Sequence, residues 1–259
     1  MFSEGMSLRS TSRLADVSIN TVTKLLVDVG AACMEYQDKT FQDLQCKRIQ
    51  VDEIWSFCPA KARDVPEEHQ NEFGWGDVWT WVAIDADSKV VPSWLIGNRS
   101  AVCASEFIAD LKVRLSNRVQ LTSDGHRPYL QAVETAFGDE VDYAVLQKIY
   151  GPASEQHRYS PPQCVEIRRD MIRGNPDHDH VSTSFVERQN LTVRMSMRRY
   201  TGLTNAFSKK IENHIAATAI CFMHYNFARI HKSLRVTPAM ATGVSDHVWS
   251  LEQICELAK

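Results

Sequence analysis

Three carboxylates stand out by where they sit in the chain. Asp52 lies among strand formers in Gln50-Val51-Asp52-Glu53-Ile54-Trp55, a setting in which Asp is disfavoured unless it has work to do. Asp124 closes a later apolar run and opens the polar turn Thr122-Ser123-Asp124-Gly125-His126. Glu187 falls one turn into a helical pattern, Thr183-Ser184-Phe185-Val186-Glu187-Arg188-Gln189-Asn190. The three are 72 and 63 positions apart, yet a strand centre, a strand end and a neighbouring helix can meet at one point. Like charges held together raise one another's pKa unless a cation offsets the repulsion. Hard divalent ions with oxygen ligands do this, and Mg²⁺ takes one or two carboxylates while keeping water and phosphate ligands. Two such ions about 3.5–4 Å apart activate a water and stabilise the leaving oxygen of an in-line displacement at phosphorus.

Basic residues accompany the last of these acids. At 100° per residue Glu187, Arg194 and Arg198 share one helical stripe, while Val186, Val193 and Met197 form an adjacent apolar stripe that can dock on a sheet. The formal charge of −3 hides a segregation. Residues 158–235 carry 13 Lys and Arg against 6 Asp and Glu, whereas residues 1–157 carry 15 against 23. Such asymmetry suits a polyanionic partner for the basic segment, or else a solvated arginine-rich face.

Elements able to position these groups can be read from period and punctuation. Ser7 caps a short helix to Ala15, and Ser18 caps a second from Ile19 towards Gly30. Val22, Leu25, Leu26 and Val29 give that helix one buried face, leaving Asn20, Thr21, Thr23 and Lys24 outside. With the tight turn at Asp16-Val17 the pair resembles a helix-turn-helix, whose second helix would enter a DNA major groove. Ser12 stands where a small Ala is usual and Asp16 where Gly is usual; both substitutes suit their positions. An ordinary helical hairpin is the alternative. From Cys46 the texture turns to strands, at 49–58, 78–86 and 89–96, with a hairpin turn at Asp87-Ser88. A helix over 105–115, a strand at 119–123, a helix over 128–137 and a strand at 141–149 follow. Residues 150–182, rich in Pro and Gly, read as a long connection, and two long helices are expected over 182–200 and 205–229. The pattern predicts an α/β fold, a mixed sheet covered by helices.

No stretch approaches 18 consecutive apolar residues, no basic-then-apolar leader opens the chain, and seven scattered cysteines include no Cys-x-x-Cys pair. A soluble cytoplasmic protein without a membrane partner, a disulfide framework or a zinc ribbon is expected. Asp85 reads as a turn residue, and Glu53 is set aside because strand side chains alternate. Asp177-His178-Asp179-His180 reads as a solvated loop rather than a metal site, and Trp75, Trp79 and Trp81 as packing residues, with stacking on unpaired bases the alternative. His126 is placed to touch a phosphate or orient water, or is merely exposed.

The segments Val51-Asp52-Glu53-Ile54-Trp55-Ser56-Phe57, Thr122-Ser123-Asp124-Gly125 and Phe185-Val186-Glu187-Arg188-Gln189-Asn190 resemble the Asp-Asp-Glu (DDE) core of bacterial insertion-sequence transposases. The likeness is greatest to the transposases of the smallest insertion element and its relatives. Trp79-Thr80-Trp81-Val82-Ala83-Ile84-Asp85, Ile96-Gly97-Asn98-Arg99, Tyr225 to His231 and Thr237-Pro238-Ala239-Met240-Ala241 match further segments in order. The resemblance implies a ribonuclease-H-like fold with Asp52, Asp124 and Glu187 as catalytic metal ligands for Mg²⁺, with Mn²⁺ as substitute. It implies cutting of double-stranded DNA at element ends and joining to target DNA, by an oligomer assembled on nucleoid-associated DNA. Arg188, Arg194, Arg198, Arg199, Lys209 and Lys210 would hold DNA backbone. The implied organisation is a helix-turn-helix segment at 1–45, a catalytic domain at 46–243 and a helical tail at 244–259. Relatives often carry a zinc-binding segment ahead of the helix-turn-helix, which the cysteines here do not supply. A DNA-binding remnant, or a nuclease that does not join, are the other readings.

Overall fold

Strand β1 (Arg48–Cys58) is buried along nearly its whole length, as expected of a central strand covered on both faces. In the computed structural model, which describes residues 2–151, 163–202 and 205–259, it stands at the middle of a six-stranded sheet. The strand order is β3 (Trp94–Gly97), β2 (Gly76–Asp85), β1, β4 (Val119–Ser123), β5 (Val141–Tyr150), β6 (Cys164–Arg173). β1 runs antiparallel to β2 and parallel to β4; β4 and β5 are parallel, and β6 returns antiparallel to β5. Helices α3 (Ala101–Arg114) and α4 (Pro128–Phe137) occupy the connections into β4 and β5. The result is the mixed α/β sheet flanked by helices that the sequence predicts.

The two faces of the sheet bury different residues. Ile49, Val51, Trp81, Ala83, Leu121 and Tyr143 pack with Phe107 and Leu111 of α3 and Val133 of α4. On the opposite face Ile54, Val82 and Ile84 meet Val186 and Val193 of α5 (Ser184–Ser196), together with Met197. The apolar stripe read from the sequence is therefore the docking face of α5.

Helix α1 (Leu8–Ala15) and helix α2 (Ile19–Thr40) meet at 116°, and Asp16 supplies the left-handed residue of the turn at φ 51°. The sequence ends α2 near Gly30, but the helix runs ten residues further, burying Cys33 and Gln37 in addition to Leu26 and Val29. Gly30 permits this. A Cβ there would lie 2.5 Å from the Cα of Ala216 in α6 (Ile211–Met223), so only glycine lets the two helices cross so closely.

Several sequence expectations need correction. The predicted strand at 89–96 is paired as a strand only from Trp94; Val90 and Val91 are buried in irregular backbone, where the N–H and the carbonyl of Val91 are both taken by the Asn226 side chain. The connection at 150–182 contains β6, whose residues are exposed on both faces. The helix expected over 182–200 stops at Ser196, where Met197 turns extended at φ −135° and ψ 103°. The helix expected over 205–229 is α6, followed by a wider π-type turn at His224–Ala228. Two short helices, α7 (Pro238–Ala241) and α8 (Leu251–Glu256), finish the chain. Among the described residues no single helix is long and apolar enough to cross a membrane.

Candidate metal centre

Strand β4 stops at Ser123, and its last pairing with β1 joins Thr122 to Gln50. β1 continues for eight residues beyond that pair, so Asp52 and Glu53 border a gap where a neighbour strand has ended. A gap at the carboxyl ends of parallel strands, beside a point where strand direction changes, is where open α/β sheets bind ligands. Asp124, the residue immediately after β4, opens into the same gap.

Carboxylate oxygens of Asp52, Glu53 and Asp124 lie within 4.8 Å of one another. The alternation rule is obeyed locally: Asp52 sits on the face covered by α5 and Glu53 on the face of Trp81. Glu53 nonetheless reaches Asp124 because the missing length of β4 leaves nothing between the two faces. Setting Glu53 aside on alternation alone overlooks that open end.

Burial dominates the electrostatics. Desolvation, with the nearby charge of Asp124, pushes Asp52 up to about 6, although it accepts hydrogen bonds from the Glu53 backbone N–H and the Asn190 amide. Burial likewise raises Glu53 to about 7, against the pull of the nearby Tyr129 hydroxyl and, less strongly, of Arg99. The Arg99 guanidinium is 3.1 Å from Glu53 Oε2 and 4.0 Å from Asp124 Oδ2, and it stacks over Trp79. Glu53 Oε1 has no hydrogen-bond partner among the described residues; the Tyr129 hydroxyl lies close by without closing one. Asp124 Oδ1 accepts the backbone N–H of His126 at 2.9 Å, which fixes the turn.

These residues fit a hard divalent cation. The donors are all carboxylate oxygens, one of them buried and unpartnered, and their charges are held together at an evident desolvation cost. Oxygens on opposite sides of one Mg²⁺ or Ca²⁺ would lie about 4–5 Å apart, the scale of the observed cluster.

Glu187 faces the centre without belonging to that cluster. Its charge acts on Asp52, but both of its oxygens are held by the Lys148 ammonium, at 2.5 and 2.6 Å. Thr183 also donates its hydroxyl to Glu187 Oε1, at 2.6 Å. The helix is placed from β1: Gln50 Oε1 accepts the N–H groups of Phe185 (2.8 Å) and Val186 (3.2 Å). It serves orphan donors at the first turn of α5, where Thr183 provides no side-chain cap.

The basic candidates divide into two sets. Arg188, Arg194, Arg198, Lys209 and Lys210 are exposed. Arg199 instead turns inward, donating to Ser208 Oγ at 2.6 Å, and burial lowers its pKa. The extended break at Met197 reorients the backbone, so Arg199 is corrected from a backbone contact to an internal tie. On α2, Asn20, Thr21 and Lys24 are exposed, with Lys24 paired to Asp28, while Thr23 donates to the Ile19 carbonyl at 2.8 Å. Asp85 is buried in the β2 turn, accepting from Lys47, Arg48 and Ser88. Trp81 is fully buried, and Trp75 stacks on His69. Residues the sequence did not single out, namely Arg99, Lys148, Gln50 and Asn190, surround the acids; Gln50 and Asn190 at least stand within the acidic motifs as polar neighbours, whereas Arg99 and Lys148 come from distant parts of the chain with no local signal.

No family model matches the chain, and no curated protein matches it. Among solved structures it is similar to a chain in the cryo-EM structure of the piggyBac transposase synaptic complex with hairpin DNA, at 11% identity and a TM-score of 0.36. The match covers 83% of this chain and 52% of that one, so the chain spans about half the length of that neighbour.

Proposed function

We propose that the chain is a DDE-type transposase that cuts DNA at the ends of an insertion sequence and joins the freed 3′-hydroxyl to a target strand. The observation that carries this reading is the meeting of Asp52 and Asp124, with Glu53, where β4 ends, opposite a helix bearing Glu187. Asp52, Asp124 and Glu187 are the residues assigned to hold Mg²⁺, or Mn²⁺ in its place. When bound, such ions activate the attacking hydroxyl or water and stabilise the leaving oxygen.

The chain's own residues do the rest. Asn190 orients Asp52, the His126 N–H orients Asp124, and Arg99 holds Glu53 against the repulsion of its neighbours. Arg188, Arg194, Arg198, Lys209 and Lys210 offer backbone contacts that position a duplex without reading its sequence. Asn20, Thr21, Thr23 and Lys24 are assigned to the major groove of an element end. Synapsis of two ends calls for at least two copies, working on nucleoid DNA in the cytoplasm.

The test is a strand-transfer assay with Mg²⁺ on labelled DNA carrying the flanking inverted repeats. The reading expects joined product from the wild type and none from Asp52→Asn or Asp124→Asn, with DNA binding kept. Cleavage without joining would identify a nuclease; binding without cleavage would identify a DNA-binding remnant.

A further inference from the structure

β5 carries a lysine into the gap that the early end of β4 leaves. Pairing between β4 and β5 stops at Ser123 and Val145, and β5 then runs on past Lys148 to Tyr150 with only β6 beside it. The Lys148 ammonium therefore projects where a fourth strand would otherwise stand, and it grips both oxygens of Glu187. Thr183 adds a third donor, so a cation must displace existing partners before Glu187 can serve it. The helix itself needs no movement. Asn190, one turn beyond Glu187, is already bonded to Asp52 at 2.9 Å, and Gln50 already holds the first turn.

We propose that Lys148 is a positioning residue that keeps Glu187 away from the metal centre until a DNA phosphate draws the ammonium off. This rests on the reading given above and adds an order of assembly to it. An ammonium is a compact point charge with three rotatable donors, equally able to serve a carboxylate or a phosphate. Phosphate oxygens arriving in the gap offer Lys148 a new anion and leave Glu187 an unpaired carboxylate beside Asp52. Glu187 then completes the ligand set by a side-chain rotation. DNA-free protein consequently has a weaker cation site, built from Asp52, Asp124 and Glu53, and the full site forms only with DNA in place.

Calorimetric titration of the intact protein with Mn²⁺, with and without a short DNA duplex, tests this. In the absence of DNA, Lys148→Gln should bind Mn²⁺ about fivefold tighter than wild type, the value of one partly exposed ion pair. Lys148→Arg should restore the wild-type affinity, and Glu187→Gln in the Lys148→Gln background should remove the gain. Duplex DNA should tighten Mn²⁺ binding to the wild type by more than in Lys148→Gln, where phosphate ligation of the ion is the only gain left. Unchanged or weaker Mn²⁺ binding by Lys148→Gln overturns the proposal, as does an equal effect of DNA on both proteins. Asp52→Asn runs as a separate arm: if it leaves Mn²⁺ affinity intact, the metal centre itself is misassigned, whatever Lys148 does.

Discussion

Asn190 of α5 donates its side-chain amide to the Asp52 carboxylate of β1 at 2.9 Å, across 138 positions of sequence. This bond ties the helix that bears Glu187 to the strand that bears Asp52, independently of the apolar contacts beneath. It also answers part of the cost of burying Asp52, since a carboxylate in a half-closed site needs donors.

Removing that donor should therefore cost activity more than fold. Asn190 is only 2% exposed, so Asn190→Ala leaves a small void and an Asp52 oxygen short of a partner. The expected loss of stability is about 1–2 kcal/mol by thermal or urea unfolding. Mg²⁺-dependent strand cleavage should fall by roughly tenfold or more, because a loosened ligand is poorly placed for chemistry. Full cleavage by a folded Asn190→Ala protein would show that β1 alone holds Asp52 in place.

The metal-free protein should be relieved by losing a site carboxylate. Asp52 and Glu53 are pushed up to about 6 and about 7, so in the folded state they bind protons that the unfolded chain releases at lower pH. Their effect is destabilising above that range and fades as pH falls through it. At pH 8 without divalent cations, Asp52→Asn is expected to be more stable than wild type by about 1–3 kcal/mol. Adding Mg²⁺ should raise the wild-type melting temperature and leave that of Asp52→Asn almost unchanged. A metal-free Asp52→Asn that melts below the wild type would contradict the reading of a repulsive, cation-seeking cluster.

Much of this architecture was legible because the relevant patterns are local. The strand at 119–123 and the helix at 128–137 are found at their expected limits, the helix opening on Pro128 as its first-turn proline suggested. The docking face of α5 followed from Val186, Val193 and Met197. β6 escaped because Arg169 interrupts the alternation of Val165, Ile167 and Met171, Ile172 falls out of it at a bulge, and the strand is largely exposed. Arg199 was misplaced because helical period was carried through Met197, where the backbone leaves the helix. Within the site, Asp52 and Asp124 were visible as acids in unusual strand positions. Glu53 and Lys148 were not, since both depend on where β4 ends relative to its neighbours, a long-range fact with no local signature.

The same inward-turned Arg199 belongs to a buried polar cluster that should set the acid limit of the fold. His214 is fully buried between Ser56 Oγ, 3.2 Å from Nε2, and Ser208 Oγ, 3.1 Å from Nδ1. Burial first, and then the charge of Arg199, lowers its pKa from 6.5 to about 3. Unfolding releases an imidazole that takes a proton below about 6.5, whereas the folded ring stays neutral until about 3. The unfolded state thus binds more protons between those values. The stability this ring contributes is complete above about 6.5 and is lost as pH falls, at up to about 1.4 kcal/mol per pH unit. His214→Gln keeps polar atoms near both serines and cannot titrate. Between pH 7 and pH 5, wild type should lose about 2 kcal/mol more than His214→Gln in urea unfolding. Asp52 and Glu53 act with the opposite sign over part of this range, but equally in both proteins, so they cancel in the difference. Parallel stability curves for the two proteins would mean that the buried imidazole already carries its proton in the fold.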